Sequence, residues 1–109
     1  MTLKEILDQS KNLEIFEKRD ITDKYAELVF LTRDAEKWEQ FLSGVLGPAV
    51  KVTGNKPEKE DLNLTKTYGG IRIGQSLFKK KFDKITVIAM LWPWQDKNHT
   101  TLKLALLRG

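Results

Sequence analysis

The clearest pattern of hydrophobic and polar positions lies between residues 34 and 46. Its apolar residues recur at helical spacing and form one stripe, which consists of Ala35, Trp38, Phe41, Leu42, Val45 and Leu46. Asp34 precedes the stripe as a capping residue, and Gly47 followed by Pro48 ends it. The pattern therefore predicts a helix over residues 34–46 that packs on a sheet through this stripe.

The N-terminal residues predict a second, shorter helix. Thr2 and Glu5 have the spacing of a capping box, and apolar residues then recur at helical intervals. We predict a helix from Leu3 to Ser10 or somewhat beyond. Residues 13–16 fit either a longer helix or a short edge strand, and the mostly charged residues 17–24 are typical of a connection.

The rest of the chain has mainly the pattern of strands. Residues 25–32 and 85–92 contain apolar side chains on both faces, which is typical of strands inside a covered sheet. Residues 100–107 alternate, with leucines on one face, and residues 49–53 and 71–78 also favour strands. Turns are predicted at residues 79–84 and 93–99.

The order of these elements predicts the fold class. A long polar segment follows residue 53, and Pro57 with the acids after it can open a short helix there. The order α-β-α-β-(short α)-β-β-β then predicts an α+β domain: a mostly antiparallel sheet of about five strands, one amphipathic helix packed on it, and a second N-terminal helix. The predicted core consists of Leu28, Phe30, Trp38, Phe41, Leu42, Val45, Val87, Ala89, Leu91, Leu102 and Leu104.

Length and composition exclude several classes of protein. The chain has 109 residues, which suits a single domain over residues 1–109. It has no Cys and one His, which excludes thiolate zinc sites, a Cys nucleophile and multi-histidine metal sites. The lack of disulfides favours a soluble protein of the cytoplasm. We also predict no membrane partner, because the longest apolar run, residues 87–94, is far shorter than the roughly 20 residues that span a bilayer.

Charge is unevenly distributed along the chain. Residues 1–55 carry a net charge of −2 and residues 56–109 carry +6, which predicts that an anionic partner meets the second half. Tyr68 to Gly74 place three glycines near Arg72, but they precede a strand and lack the helix of a phosphate loop. We therefore interpret this segment mainly as a turn that enters a strand.

A lysine run and a tryptophan pair are the most unusual local features. Lys79, Lys80 and Lys81 lie between two phenylalanines, as in nucleic-acid binders, although lysines also keep a sheet edge unpaired. Trp92 and Trp94 flank a proline and share a face if the strand continues. They fit either an aromatic wall for a ligand or a cap on the core beneath the Trp38 helix, and high average burial of Trp favours the core.

Asp96 and His99 form the one pair that suggests catalysis. An Asp–His pair can orient a general base, but no nucleophile is near in sequence, so a solvated His is the favoured interpretation.

The sequence thus predicts a non-enzymatic binding or protein-interaction module without a cofactor, either monomeric or homodimeric. Its alternative is a small enzyme that uses Asp96 and His99 beside Trp92 and Trp94. A nucleic acid or another polyanion is the predicted ligand of a site that consists of Tyr68, Arg72, Lys79, Lys80, Lys81, Lys84, Trp92, Trp94 and His99.

Overall fold

A five-stranded antiparallel sheet with three α-helices forms the framework. The structure is a computed structural model and describes residues 2–108. The strands are β1 (Glu17–Ile21), β2 (Tyr25–Leu31), β3 (Ser76–Phe82), β4 (Ile85–Pro93) and β5 (His99–Arg108). The helices are α1 (Leu3–Gln9), α2 (Ala35–Leu46) and α3 (Lys59–Thr65), and the strand order is β1-β2-β5-β4-β3. This architecture confirms the predicted α+β class.

Helices α1 and α2 cover one face of the sheet, called here the helical face. Trp38, Leu42 and Leu46 of α2 are buried there, which confirms the predicted stripe. The indole of Trp38 stacks on Phe30 of β2, with ring centroids 5.2 Å apart. Of the predicted core residues, Phe41 and Val45 alone are only partly buried, and both contact this cluster.

The opposite face of the sheet, called here the second face, has a smaller core of its own. Ile88 and Met90 of β4, Leu77 of β3 and Ala105 of β5 are buried there against Ile71, which follows α3. Strand β4 is therefore covered on both faces by its own chain, as its two-sided apolar pattern predicted.

The prediction of a connection over residues 17–24 is wrong, because residues 17–21 form β1. All five residues of β1 are exposed, so no apolar alternation marks the strand. It pairs with β2 through backbone hydrogen bonds, and its register shifts between Lys18 and Asp20. Charged side chains and an irregular register are typical of an edge strand that avoids further pairing.

Two other strand predictions need correction. Residues 49–53 form only an isolated bridge, from Lys51 to Leu77, and β3 begins at Ser76 rather than at residue 71. The buried Lys51 side chain crosses to the segment before β3, where its ammonium donates to the carbonyls of Arg72, Ile73 and Gln75. Two of these carbonyls also accept backbone N–H groups, Arg72 from Gln75 in a turn and Ile73 from Gly54, so residues 72–75 form a turn bridged by Lys51 instead of a regular ladder. Strand β3 instead continues through residues 79–82, which were predicted as a turn.

The helix ends are partly as predicted. Thr2 caps α1 by accepting a hydrogen bond from the backbone N–H of Glu5. Asp34 makes no side-chain capping bond, because a 3-10 turn over Thr32–Asp34 leads directly into α2. Helix α3 begins at Lys59 rather than at Pro57, since Glu58 and Asp61 form a reciprocal capping box there.

Candidate functional site

The predicted lysine site is divided between the two faces of the sheet. Successive side chains of β3 alternate, so Lys79 lies on the second face with Leu77, and Lys80 lies on the helical face with Phe82. The Lys79 ammonium is 2.9 Å from a Glu60 carboxylate oxygen, and Lys80 lies over the Phe82 ring at 5.1 Å. The run therefore presents no single surface of free cations, and its place on an edge strand fits protection of that edge.

The other cations of the predicted site come from the β3–β4 hairpin and from the segment before β3. Lys81 alternates back to the second face, Lys84 lies in the β3–β4 turn, and both are exposed. Arg72 is exposed too, while its backbone N–H donates to Gln75 Oε1 and its carbonyl accepts from Lys51. That these residues bind a polyanion together stays a prediction.

The two tryptophans share the second face but have different surroundings. Trp92 is covered by its own chain: the Lys103 ammonium lies 3.5 Å from its ring centroid and donates to the carbonyl of Tyr68. Burial lowers the pKa of Lys103, which the Glu27 carboxylate opposes. Trp92 therefore belongs to the second-face core, and the interpretation as a cap beneath the Trp38 helix is wrong, because strand alternation directs Leu91 to that side.

Tyr68 stacks on Tyr25 of β2. Their rings are nearly parallel with centroids 5.4 Å apart, and the Tyr25 hydroxyl donates to Glu27 at 2.6 Å. Burial raises the pKa of the Tyr25 hydroxyl, and this hydrogen bond raises it further. The Tyr68 ring thus extends the second-face core towards β2.

Trp94 and His99 meet at the end of the β4–β5 hairpin. The imidazole of His99 lies between the rings of Trp94 and Phe16, with centroids at 4.8 and 4.7 Å. Trp94 Nε1 donates to the Thr101 hydroxyl at 2.8 Å, and the Arg19 guanidinium lies 5.1 Å from the Trp94 centroid. Phe16 and Arg19 were not singled out in the sequence, since they reach the hairpin only through the pairing of β1 with β2.

Asp96 holds His99 in one orientation. Its Oδ2 lies 2.5 Å from Nδ1 of His99, and its Oδ1 accepts from the backbone N–H groups of Asn98 and His99. The Asn98 backbone bond and the imidazole bond lower the pKa of Asp96 below its ordinary value. With Nδ1 as the donor, Nε2 carries the free lone pair of an oriented base.

No nucleophile completes this pair within residues 2–108. The hydroxyl of Thr101 accepts from Trp94, and those of Thr32 and Thr100 bond to each other at 2.8 Å. The geometry supplies an oriented base at a turn and, among these residues, no hydroxyl bonded to it.

The largest cavity described lies elsewhere, between α1 and the β1–β2 hairpin. We call it the α1–β1 trough. Its wide part has a volume of about 920 Å³ and is lined by Thr2, Lys4, Leu7, Asp8, Lys18, Ile21, Thr22, Asp23, Lys24, Ile85, Leu106, Leu107 and Arg108. A second cavity of about 510 Å³ continues it along α1 and shares Leu7, Asp8, Lys18 and Ile21 with it. Its other lining residues are Ser10, Lys11, Leu13, Ile15 and Leu28.

The trough has an apolar floor and a mainly cationic rim. The floor of the wide part contains Leu7, Ile21, Ile85 and Leu106, and Ile21 is 48% exposed. Five cations and two acids line the two parts together, and within residues 2–108 none of these seven side chains forms an ion pair. They are Lys4, Lys11, Lys18, Lys24, Arg108, Asp8 and Asp23.

Sequence reasoning missed this site because its residues come from both ends of the chain. Helix α1, the β1–β2 turn and the ends of β4 and β5 each contribute ordinary residues with no motif. One local signal existed, namely Ile21, an isolated apolar residue within a charged segment.

Two smaller cavities do not adjoin the trough. One of about 340 Å³ lies beside Pro48 and Val52, and one of about 460 Å³ lies beside Arg33 and Lys97 at the β4–β5 turn. His99 lines none of the four cavities described here.

Metal clusters, membrane-spanning helices and relatives give no assignment for this protein within the residues described. Across the 107-residue stretch from Thr2 to Arg108, no three His, Cys, Asp or Glu residues are grouped to hold a metal ion. No helix in that stretch has both the length and the apolar character needed to cross a membrane. No protein-family model matches the chain, and no curated protein or solved structure matches it significantly.

Proposed function

We propose that this protein is a non-catalytic binding module whose ligand lies in the α1–β1 trough. One observation carries the proposal: the largest cavity described combines an apolar floor with charged rim side chains that form no ion pair within residues 2–108. Such a cavity is the first hypothesis for a binding site, and the volume of its wide part, about 920 Å³, lies within the 300–1,000 Å³ typical of small-molecule pockets.

The chemistry of the lining favours an amphipathic anion. Burying the apolar part of a ligand on Leu7, Ile21 and Leu106 contributes roughly 25 cal/mol for each Å² removed from water. The surplus of cations on the rim attracts a negative group. The predicted anionic ligand is thus retained in the proposal, but its site is moved from the second-half lysines to residues of both chain ends.

A native-state binding assay tests the proposal. We expect the amphipathic anionic dye ANS to bind the folded wild type saturably at one site, and Ile21→Glu to weaken that binding at least tenfold. Ile73→Glu is the matched control, since Ile73 is 50% exposed and lines none of the four cavities. Near-UV circular dichroism of each variant separates binding to the native state from binding to a loosened core. Equal binding by wild type and Ile21→Glu would contradict the proposal.

A second candidate function rests on the Asp96–His99 pair. Its short hydrogen bond and the free Nε2 are the arrangement of an oriented general base, and Trp94 with Phe16 provides ring surfaces beside it. Hydrolysis of an activated ester, p-nitrophenyl acetate, tests this alternative. A rate that exceeds that of free imidazole and falls in both His99→Gln and Asp96→Asn supports it. A wild-type rate no greater than that of free imidazole removes it.

A further inference from the structure

We infer that the ligand of the α1–β1 trough is a free, unbranched fatty carboxylate, with its carboxylate in the wide part and its chain directed along α1. The inference rests on the proposed function and adds the chemical class and the orientation of the ligand.

The shape of the trough favours a long, narrow ligand. Its two parts, of about 920 and 510 Å³, share four lining residues, so they are neighbours along α1 and a long ligand can extend from one to the other across these residues. Apolar side chains line both parts, from Leu106 and Ile85 in the wide part to Leu13 and Ile15 in the other. A ligand that fills both parts must be apolar over most of its length.

The chemistry of the floor favours an aliphatic chain. The apolar residues that line the trough are leucine and isoleucine, and no aromatic residue lines either part. Bases and other flat rings are bound chiefly by stacking on aromatic side chains or guanidinium planes. The tryptophans and tyrosines of this protein lie instead on the second face or, in the case of Trp38, under α2.

The distribution of charge sets the orientation. Three cations line the wide part alone, namely Lys4, Lys24 and Arg108. Of the two acids, Asp23 lines the wide part alone and Asp8 lines both parts. The other part adds a single cation, Lys11. Arginine can hold both oxygens of a carboxylate at once, so Arg108 is suited to a carboxylate head. A single head group at the wide end and an apolar tail along α1 satisfy this asymmetry.

Binding of dodecanoate below its micellar concentration, measured by calorimetry, tests the ligand class. We expect dodecanoate to bind at one site and dodecyltrimethylammonium to bind at least tenfold more weakly. The double variant Lys24→Glu/Arg108→Glu should bind dodecanoate about tenfold more weakly than the wild type, because each of the two surface charges contributes modestly. Lys56→Glu, an exposed charge reversal outside the trough, is the control and should bind as the wild type does.

A nitroxide at the tail end of dodecanoate tests the orientation. We expect it to broaden the amide resonances of Leu13 and Ile15 and to spare that of Arg108, and the reverse pattern would overturn the orientation.

The outcomes separate the inference from the proposed function. If ANS binds at Ile21 but dodecanoate and dodecyltrimethylammonium bind equally, the carboxylate inference is wrong and the trough remains a binding site. If neither ANS nor dodecanoate binds, the proposed function fails as well. If zwitterionic phosphatidylcholine vesicles bind the protein and compete with dodecanoate, the occupant is a bilayer lipid and the assignment to a free fatty carboxylate is wrong.

Discussion

The packing of Gly69 against Trp92 on the second face can be tested by adding a single methyl group. Gly69 has φ of +100° and lies against the indole of Trp92. A methyl group at this position would be 3.0 Å from Cζ2 of Trp92, closer still to Cη2, and 3.4 Å from the Lys103 ammonium. The ring therefore cannot move aside without disturbing the Lys103 contact, in which the ammonium lies 3.5 Å from the ring centroid.

The free energy of unfolding should fall by about 2–3 kcal/mol in Gly69→Ala. The left-handed backbone costs an alanine roughly 1–2 kcal/mol, and loss of the cation–π contact costs about 1 kcal/mol more. Urea unfolding followed by tryptophan fluorescence measures the change.

Two other glycines provide matched controls. Gly70 has φ of +76° with open space around it, so Gly70→Ala isolates the backbone cost of roughly 1–2 kcal/mol. Gly44 lies inside α2 with nothing within 4 Å, so Gly44→Ala should raise stability by roughly 0.5–1 kcal/mol. If Gly69→Ala costs no more than Gly70→Ala, the close contact with Trp92 is refuted. If Trp92→Leu removes the extra cost of Gly69→Ala, the indole is its source.

Three further outcomes are expected. Lys51→Met should lower the free energy of unfolding by about 3 kcal/mol in urea titrations, because three carbonyls lose the buried ammonium that donates to them, whereas Lys56→Met should change it little. A loss below about 1 kcal/mol would contradict the role of these three bonds. Since the folded-state pKa of Asp96 is lowered, its stabilising contribution is complete above the unfolded pKa and is lost as pH falls through the folded pKa. Acid titration of stability should therefore be steeper below pH 3.8 in the wild type than in Asp96→Asn, and parallel curves would refute the linkage. Replacing residues 79–81 with alanine should increase self-association in light scattering with little change in stability, and unchanged scattering would show that these lysines do not protect the β3 edge.

The elements predicted best are those whose pattern reflects burial. Helix α2 presents one apolar stripe to one layer, so helical periodicity and the Gly47 stop define it almost to the residue. Strands β2, β4 and β5 are central in the sheet, and their β-branched and leucine-rich runs follow from burial on one or both faces. In these segments local preference and tertiary environment agree.

The elements predicted worst are those that tertiary contacts define. Strand β1 carries no apolar alternation, and it is a strand because β2 offers it an unpaired edge. Residues 72–75, just before β3, form a turn whose carbonyls accept from Lys51, more than 20 residues earlier in the chain. A local window contains neither partner, so propensity alone could not find these boundaries.

The same reasoning explains why the candidate sites of the sequence differ from the trough. Conspicuous residues attract attention in a sequence, and in this fold several of them have partners within the chain: Trp92 has Lys103 and Gly69, Lys79 has Glu60, and His99 has Asp96. Those partners offset the cost of burying or concentrating such groups.

A ligand gains the most binding free energy where apolar area and charged groups have no partner within residues 2–108. In this structure such residues are of common types and come from both chain ends. Their proximity is a property of strand order, since β5 brings Leu106 and Arg108 beside the β1–β2 turn, where the Leu106 backbone N–H donates to Lys24.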